Sequence, residues 1–346
     1  MQNIELIKLE MKTKFIYIFL CFILFACQEN QTSSASSTKT NEDKYKALTA
    51  AIEANPYNAE SIYNRASAYY VNNRIGKAKD DLDRSIELDS LYLPSLKMRA
   101  KISFEENRFQ AALQDLNTCI GKDPEDEETH IIIARIYLFI MKYQEAINHV
   151  NIALRMNKFN AESYFLKGYC YKEAADTTRA MSAFQTAIEQ DPNHFKSYMQ
   201  MALMAYNQND DLCVEYYNQA IRIDPMNQEA VYGKALYYQE KQQYDASIAT
   251  YRGLLKLNNQ NEKAYYNLGY VYLMMDSLDK SYKHFNAACR MAPQYANAYY
   301  NRAYVSELLG KYQDAMNDYR QAISLNPEHT SANEGLERVK KTIKDT

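Results

Sequence analysis

The chain has 346 residues, more than the roughly 250–300 that one hydrophobic core organises, so it is either two domains or an elongated array of repeats. It carries 32 Tyr, no Trp, only eight Gly and seven Pro, is rich in Ala, Leu, Lys, Glu and Gln, and lacks alternating β-branched runs, so an all-helical array is expected. A formal net charge of -3 excludes the basic footprint that neutralising nucleic-acid phosphates requires.

In chain order, "MKTKFIYIFLCFILFACQEN" (11–30) opens with Lys12 and Lys14 and runs apolar from Phe15 to Ala26, ahead of Cys27. That run is shorter than the roughly 17–25 residues of a membrane-spanning helix and suits a cleaved signal peptide. Its end, "LFAC" (24–27), resembles the lipobox of bacterial lipoproteins. The resemblance implies removal of residues 1–26, diacylation of Cys27 and acylation of the new amine. Glu5 and Glu10 are out of place in a signal's leading region, so Met11 is a candidate start. Gln28, rather than Asp, follows the cysteine, and by resemblance to sorted lipoproteins this implies the outer membrane. Residues 27–43 read as a lipidated tether. Its "QENQTSSASSTKTNE" (28–42) is too polar to fold and would reach roughly 20 Å as a flexible coil.

The remainder is periodic. Pro56, Pro124, Pro192, Pro225, Pro293 and Pro327 are separated by 68, 68, 33, 68 and 34 residues. Proline ends helices, so the spacing predicts helix pairs with a period of 34, one of them a residue short. Pro94 falls in a first turn, where its missing N–H costs nothing. With Ala59 as position 1, position 8 reads Ala66, Ala100, Ala134, Gly168, Ala202, Ala235, Gly269 and Ala303, all small. Position 20 reads Ala78, Ala112, Ala146, Ala180, Cys213, Ser247, Ser281 and Ala315. Position 27 is small in every unit except at Leu254. Helices approach closely only over such residues, so positions 8 and 20 mark the contact between helices A and B of one unit.

This pattern resembles the tetratricopeptide repeat over residues 59–329, as eight units. Residues 44–58 read as a preceding helix B and 330–346 as a capping helix and tail. The resemblance implies a superhelical solenoid whose concave face is built from helix A positions 2, 5, 9 and 12.

No catalytic signature is found. His130, His149, His194, His284 and His329 are scattered, with no HExxH and no acids at ligand spacing. No cofactor or metal is expected. Cys119, Cys170, Cys213 and Cys289 fall at small core positions and are expected to be free thiols. "DSL" (89–91), "DTT" (176–178) and "DSL" (276–278) resemble a three-residue bacterial O-glycosylation motif, and equally are ordinary turn residues.

Position also sorts the tyrosines. Positions 4, 11, 17 and 24 face the inside of the array, which assigns fifteen to the core: Tyr164, Tyr198, Tyr265, Tyr299, Tyr69, Tyr137, Tyr171, Tyr238, Tyr272, Tyr143, Tyr244, Tyr312, Tyr217, Tyr251 and Tyr319. The concave stripe is expected to carry Phe165, Tyr169, Met199, Leu203, Tyr206, Tyr232, Leu236, Tyr266, Tyr270, Leu273, Tyr300 and Tyr304, and in its earlier units a small basic patch of Lys97, Lys101 and Arg135. The carboxylate clamp of chaperone adaptors is not expected, because only Lys97 fits it, while Lys101, Ile132, Glu162 and Leu166 do not.

The expected function is non-catalytic: a membrane-anchored adaptor of the bacterial cell envelope that holds a protein or peptide partner in this stripe. The alternative is a glycan-binding lipoprotein using the same rings. The partner is not expected to be nucleic acid.

Overall fold

The computed structural model describes residues 37–345, with side chains for 42–345; Cys27, the lipobox and most of the tether lie outside them. Among the described residues there are eighteen helices and no strand. The chain divides into two compact bodies, one through Gln190 and one from Asp191. The N-terminal body contains helix Ser37–Ala54 and repeats one to four, with helices A at Ala59–Val71, Leu93–Glu105, Glu127–Phe139 and Ala161–Glu173 and helices B at Ile75–Leu88, Phe109–Lys122, Tyr143–Met156 and Thr177–Gln190. The C-terminal body contains repeats five to eight, with helices A at Phe195–Asn207, Gln228–Glu240, Glu262–Met274 and Ala296–Leu308 and helices B at Leu212–Ile223, Tyr244–Leu257, Leu278–Met291 and Tyr312–Leu325; helix Thr330–Asp345 follows.

Every predicted helix A begins at its position 1. The missing residue of repeat five is lost around its second helix, which has 12 residues where the other helices B have 14. One boundary differs: the first helix starts at Ser37, not Lys44. Neither Gly nor Pro interrupts residues 37–54, so a helix nucleated later in the segment propagates back through its polar end.

The turns follow local chemistry. Asn58, Asn160, Asn227 and Asn261 precede helices A, and each side-chain oxygen accepts from the amide three residues on, at 2.9, 2.7, 3.0 and 2.9 Å, satisfying a donor the helix cannot. Position 15, between helices A and B, is left-handed in all eight repeats: Asn73, Asn107, Met141, Ala175, Asn209, Gln242 and Asp276 have φ of 54–61° and Gly310 has 74°. This conformation turns the chain back so that the two helices pair.

The core follows from positions 8, 20, 24 and 27. Position 24 is Leu82, Leu116, Val150, Phe184, Tyr217, Tyr251, Phe285 and Tyr319, none more than 1% exposed. The two glycines at position 8 face the two phenylalanines: a Cβ on Gly168 would come 2.8 Å from Phe184, and one on Gly269 would come 2.7 Å from Phe285. Gly233 and Gly335, at position 6, make the same room for Tyr217 and Tyr319 of the preceding repeat. At position 20, the hydroxyls of Ser247 and Ser281 donate to the position 8 carbonyls of Ala235 and Gly269, at 3.0 and 2.8 Å. Leu254, the exception at position 27, is buried like its counterparts.

Of the fifteen tyrosines assigned to the core, Tyr198, Tyr217, Tyr251, Tyr272 and Tyr319 are buried; the other ten are half-buried. At positions 4, 11 and 17 most rings bury their bodies at the margin of the helix pair and leave the hydroxyl end near water.

Candidate functional site

The expected basic patch of the N-terminal body is neutralised. Lys97 Nζ lies 2.6 Å from Asp126 and 2.8 Å from Glu128, both on or next to helix A of repeat three. Burial pulls the Lys97 pKa down, but hydrogen bonds to these carboxylates hold it above its ordinary value. Arg135 pairs with Glu162 at 2.9 Å. Lys101 is exposed, with its ammonium 4.8 Å from the Tyr70 ring centroid. The acids sit at or next to position 2 of the following helix, which is why the stretch is not an anion site. Phe165, expected in the stripe, is 2% exposed and packs 5.7 Å from the Phe184 ring. Tyr169 stays half-buried, with the Lys172 ammonium 4.7 Å over its ring, and burial raises its hydroxyl pKa.

In the C-terminal body three more stripe residues prove to be core: Met199, Leu236 and Tyr266 are 3%, 4% and 8% exposed. Met199 and Tyr266 occupy position 5 and Leu236 position 9; at position 5 the tyrosines are tied to the next helix A. Asn267 Nδ2 donates to the Tyr232 hydroxyl at 3.0 Å, and Asn301 Nδ2 donates to that of Tyr266 at 2.8 Å, each across 35 residues. Tyr300 packs 4.8 Å from His329 and 6.0 Å from Tyr319. These position 6 asparagines were missed in the sequence. Their signal was available: Asn at position 6 follows Tyr at position 5 of the preceding repeat twice in succession.

Leu203, Tyr206, Tyr232, Tyr270, Leu273, Tyr300 and Tyr304 are half-buried. The Tyr206 hydroxyl is bonded to Glu240, and burial followed by this carboxylate raises its pKa. Tyr270 and Tyr304 differ. They occupy position 9 of repeats seven and eight, whose helices A touch each other. Among the described residues, neither hydroxyl makes a hydrogen bond. The other tyrosine hydroxyls of the stripe in this body are committed: Tyr206 to Glu240, Tyr232 to Asn267, Tyr266 to Asn301 and Tyr300 to Ser331. The site therefore consists of two tyrosines with available hydroxyls at the same position of neighbouring helices A, with Leu273 and Tyr300 on the same stripe.

The four cysteines are buried free thiols, whose pKa values burial raises, to about 11 for Cys119 and Cys289 and about 12 for Cys170 and Cys213. Ser90 and Thr177 are exposed in their turns and Ser277 is half-buried. Among the described residues, no helix is long and apolar enough to cross a membrane.

Comparison with known proteins identifies the repeats. Residues 161–194, 262–295 and 296–329 match models described as "Tetratricopeptide repeat", and residues 233–276 match one described as "TPR repeat". Human serine/threonine-protein phosphatase 5 is 33% identical over 117 residues, which are 34% of this chain and 21% of the phosphatase. The Hsp70-Hsp90 organizing protein of Triticum aestivum is 22% identical over 247 residues, 60% of this chain and 42% of that protein. Among solved structures, the C-terminal part of a TPR repeat-containing protein from Cytophaga hutchinsonii superposes with a TM-score of 0.61 at 16% identity, covering 69% of this chain and 98% of its own. The chain thus carries tetratricopeptide repeats in an all-helical solenoid fold, and its matches span between about a fifth and two fifths of the length of these curated relatives.

Proposed function

We propose that this chain is a lipid-anchored adaptor of a bacterial cell envelope, holding an extended segment of another protein against the helix A stripe of its C-terminal body. The observation that carries this reading is the state of Tyr270 and Tyr304: half-buried on neighbouring helices, with hydroxyls that nothing among the described residues engages, while the hydroxyls of Tyr206, Tyr232, Tyr266 and Tyr300 in the same stripe are hydrogen-bonded. Aromatic residues dominate interface energetics, and a half-buried ring whose hydroxyl has no internal partner is suited to recognition. The lipid anchor rests on the sequence around Cys27, outside the described residues. Tyr169 is a separate subsite in the N-terminal body. The reading assigns no bond-making chemistry to the stripe.

Cross-linking the native lipoprotein in its membrane, followed by identification of the captured protein, tests this. Tyr270→Ala with Tyr304→Ala should abolish capture while the protein stays folded, with a loss in urea unfolding of about 1–2 kcal/mol at Tyr270, whose ring packs on the core. Capture and stability that both stay unchanged would overturn the assignment. Binding on a glycan array without any captured protein would replace it with sugar recognition, since exposed tyrosine faces also stack on sugars.

A further inference from the structure

We propose that the N-terminal body carries a seat for the headgroup of a zwitterionic phospholipid, in an open hollow between helix Ser37–Ala54 and the turn joining helices A and B of repeat one; this rests on the lipid-anchor reading above. The hollow measures about 410 Å³, within the range of small-ligand sites. Its floor is two stacked rings, Tyr45 and Tyr69, with centroids 4.8 Å apart and the Tyr45 hydroxyl donating to the Ala68 carbonyl at 3.4 Å. Two cations stand over these rings, the Arg74 guanidinium 4.8 Å from the Tyr45 centroid and the Lys77 ammonium 5.6 Å from that of Tyr69. Two carboxylates, Glu42 and Glu53, line the same hollow. All four charged side chains are exposed, and among the described residues none of them is in an ion pair. Other charges close by are already spent: Lys46 lies 4.0 Å from Asp43, and Arg65 is held by Asp81 at 2.7 Å. This balance selects the ligand. The two unpaired cations suit a phosphate, Arg by its planar fork and Lys as a point charge, and the two unpaired carboxylates suit an ammonium. A simple anion or a simple cation would answer one pair and face like charge in the other. A headgroup that joins phosphate to ammonium answers both, and phosphoethanolamine does so with no net charge.

Topology selects the source. Tyr45 meets Ala68 and Tyr69 near the end of helix A of repeat one, so helix Ser37–Ala54 runs antiparallel to it and begins on the side of the turn that holds Arg74. That helix starts ten residues after Cys27, and ten residues span at most about 36 Å. A lipid on Cys27 therefore keeps the hollow within reach of the headgroup layer, at an effective concentration that makes even a weak contact with one headgroup count.

Ligand-observed NMR titration of the full chain carrying Cys27→Ala, so that no acyl chain competes, tests the seat with sn-glycero-3-phosphoethanolamine, glycerol 3-phosphate and ethanolamine. The zwitterion should bind about tenfold more tightly than either half. Arg74→Gln with Lys77→Gln should weaken it by about tenfold or more, and Glu42→Gln with Glu53→Gln should bring it down to the level of glycerol 3-phosphate. All four side chains are exposed, so the circular-dichroism melt should not move. No binding of the zwitterion, no preference for it over glycerol 3-phosphate, or binding indifferent to both pairs of substitutions overturns the inference. The native lipoprotein in vesicles of phosphatidylethanolamine and phosphatidylglycerol tests the source. There a membrane-impermeant amine-acylating reagent should modify Lys77 less than the exposed Lys158 of the same body, relative to the Cys27→Ala chain in solution. A chain that stays on the vesicles with Lys77 fully reactive overturns the lipid as occupant and leaves the anchor standing. A chain that washes off removes the anchor reading, and the lipid with it, whatever the titration gives.

Discussion

At the scale of single residues, each repeat balances its own volume. Gly269 has no Cβ because Phe285 occupies that space, with ring carbons 2.7 to 2.9 Å from where one would lie. Gly269→Ala should therefore cost about 1–3 kcal/mol by overpacking, and Phe285→Leu in the same chain should recover part of it; urea unfolding of the three variants measures the coupling. The histidines respond to pH by a similar logic. His130 Nε2 lies 3.0 Å from the Pro124 carbonyl, which can only accept, so its Nδ1 accepts from His149 Nδ1–H at 2.9 Å. Burial, then the neighbouring His130, lowers the His149 pKa from 6.5 to about 4. Burial, then Lys283 and Arg252, brings His284 to about 4 as well, stacked 5.3 Å from Tyr272. A depressed histidine binds fewer protons folded than unfolded, so its contribution is complete above pH 6.5 and is lost as pH falls toward 4. Between pH 7 and 5 the loss should be up to about 2 kcal/mol per site, and His149→Gln with His284→Gln should flatten that part of the stability profile. A double variant with the parental slope would show that these rings are not the titrating groups.

At the scale of helices and turns, one backbone conformation recurs whether or not the residue suits it. Asn and Gly tolerate positive φ; Ala175, at 60° and exposed, does not. Ala175→Gly should therefore raise stability by about 1 kcal/mol, read as an increase in the denaturant midpoint; a fall would mean that Gly flexibility in the unfolded chain outweighs the strain. The 34-residue proline spacing made the helix boundaries legible in the sequence. The left-handed position was not, because Met141, Ala175 and Gln242 interrupt the Asn, Asp and Gly that favour it.

At the scale of the whole molecule, the proposed anchor and the fold are expected to be separable. The repeats take their stability from the helix pairs of residues 59–329, whereas the expected anchor is Cys27, upstream of every described residue. Cys27→Ala should release the protein from salt-washed membranes with its helical circular-dichroism spectrum and melt unchanged. Retention on the washed membrane would overturn the lipoprotein assignment.

What the sequence by itself determined is what repetition encodes: the helical class, the period, the short fifth repeat and the small residues where helices cross. The fate of individual stripe residues was decided only by tertiary structure. A period of 34 fixes which face of a helix a side chain leaves from, not what the next helix offers it. Asp126 and Glu128 meet Lys97, so the basic patch closes on itself; Asn301 reaches Tyr266 and draws it inward; nothing among the described residues bonds the hydroxyls of Tyr270 and Tyr304. Those partners lie about one repeat away, where pairing depends on side-chain length and hydrogen-bond geometry that no single-repeat pattern contains.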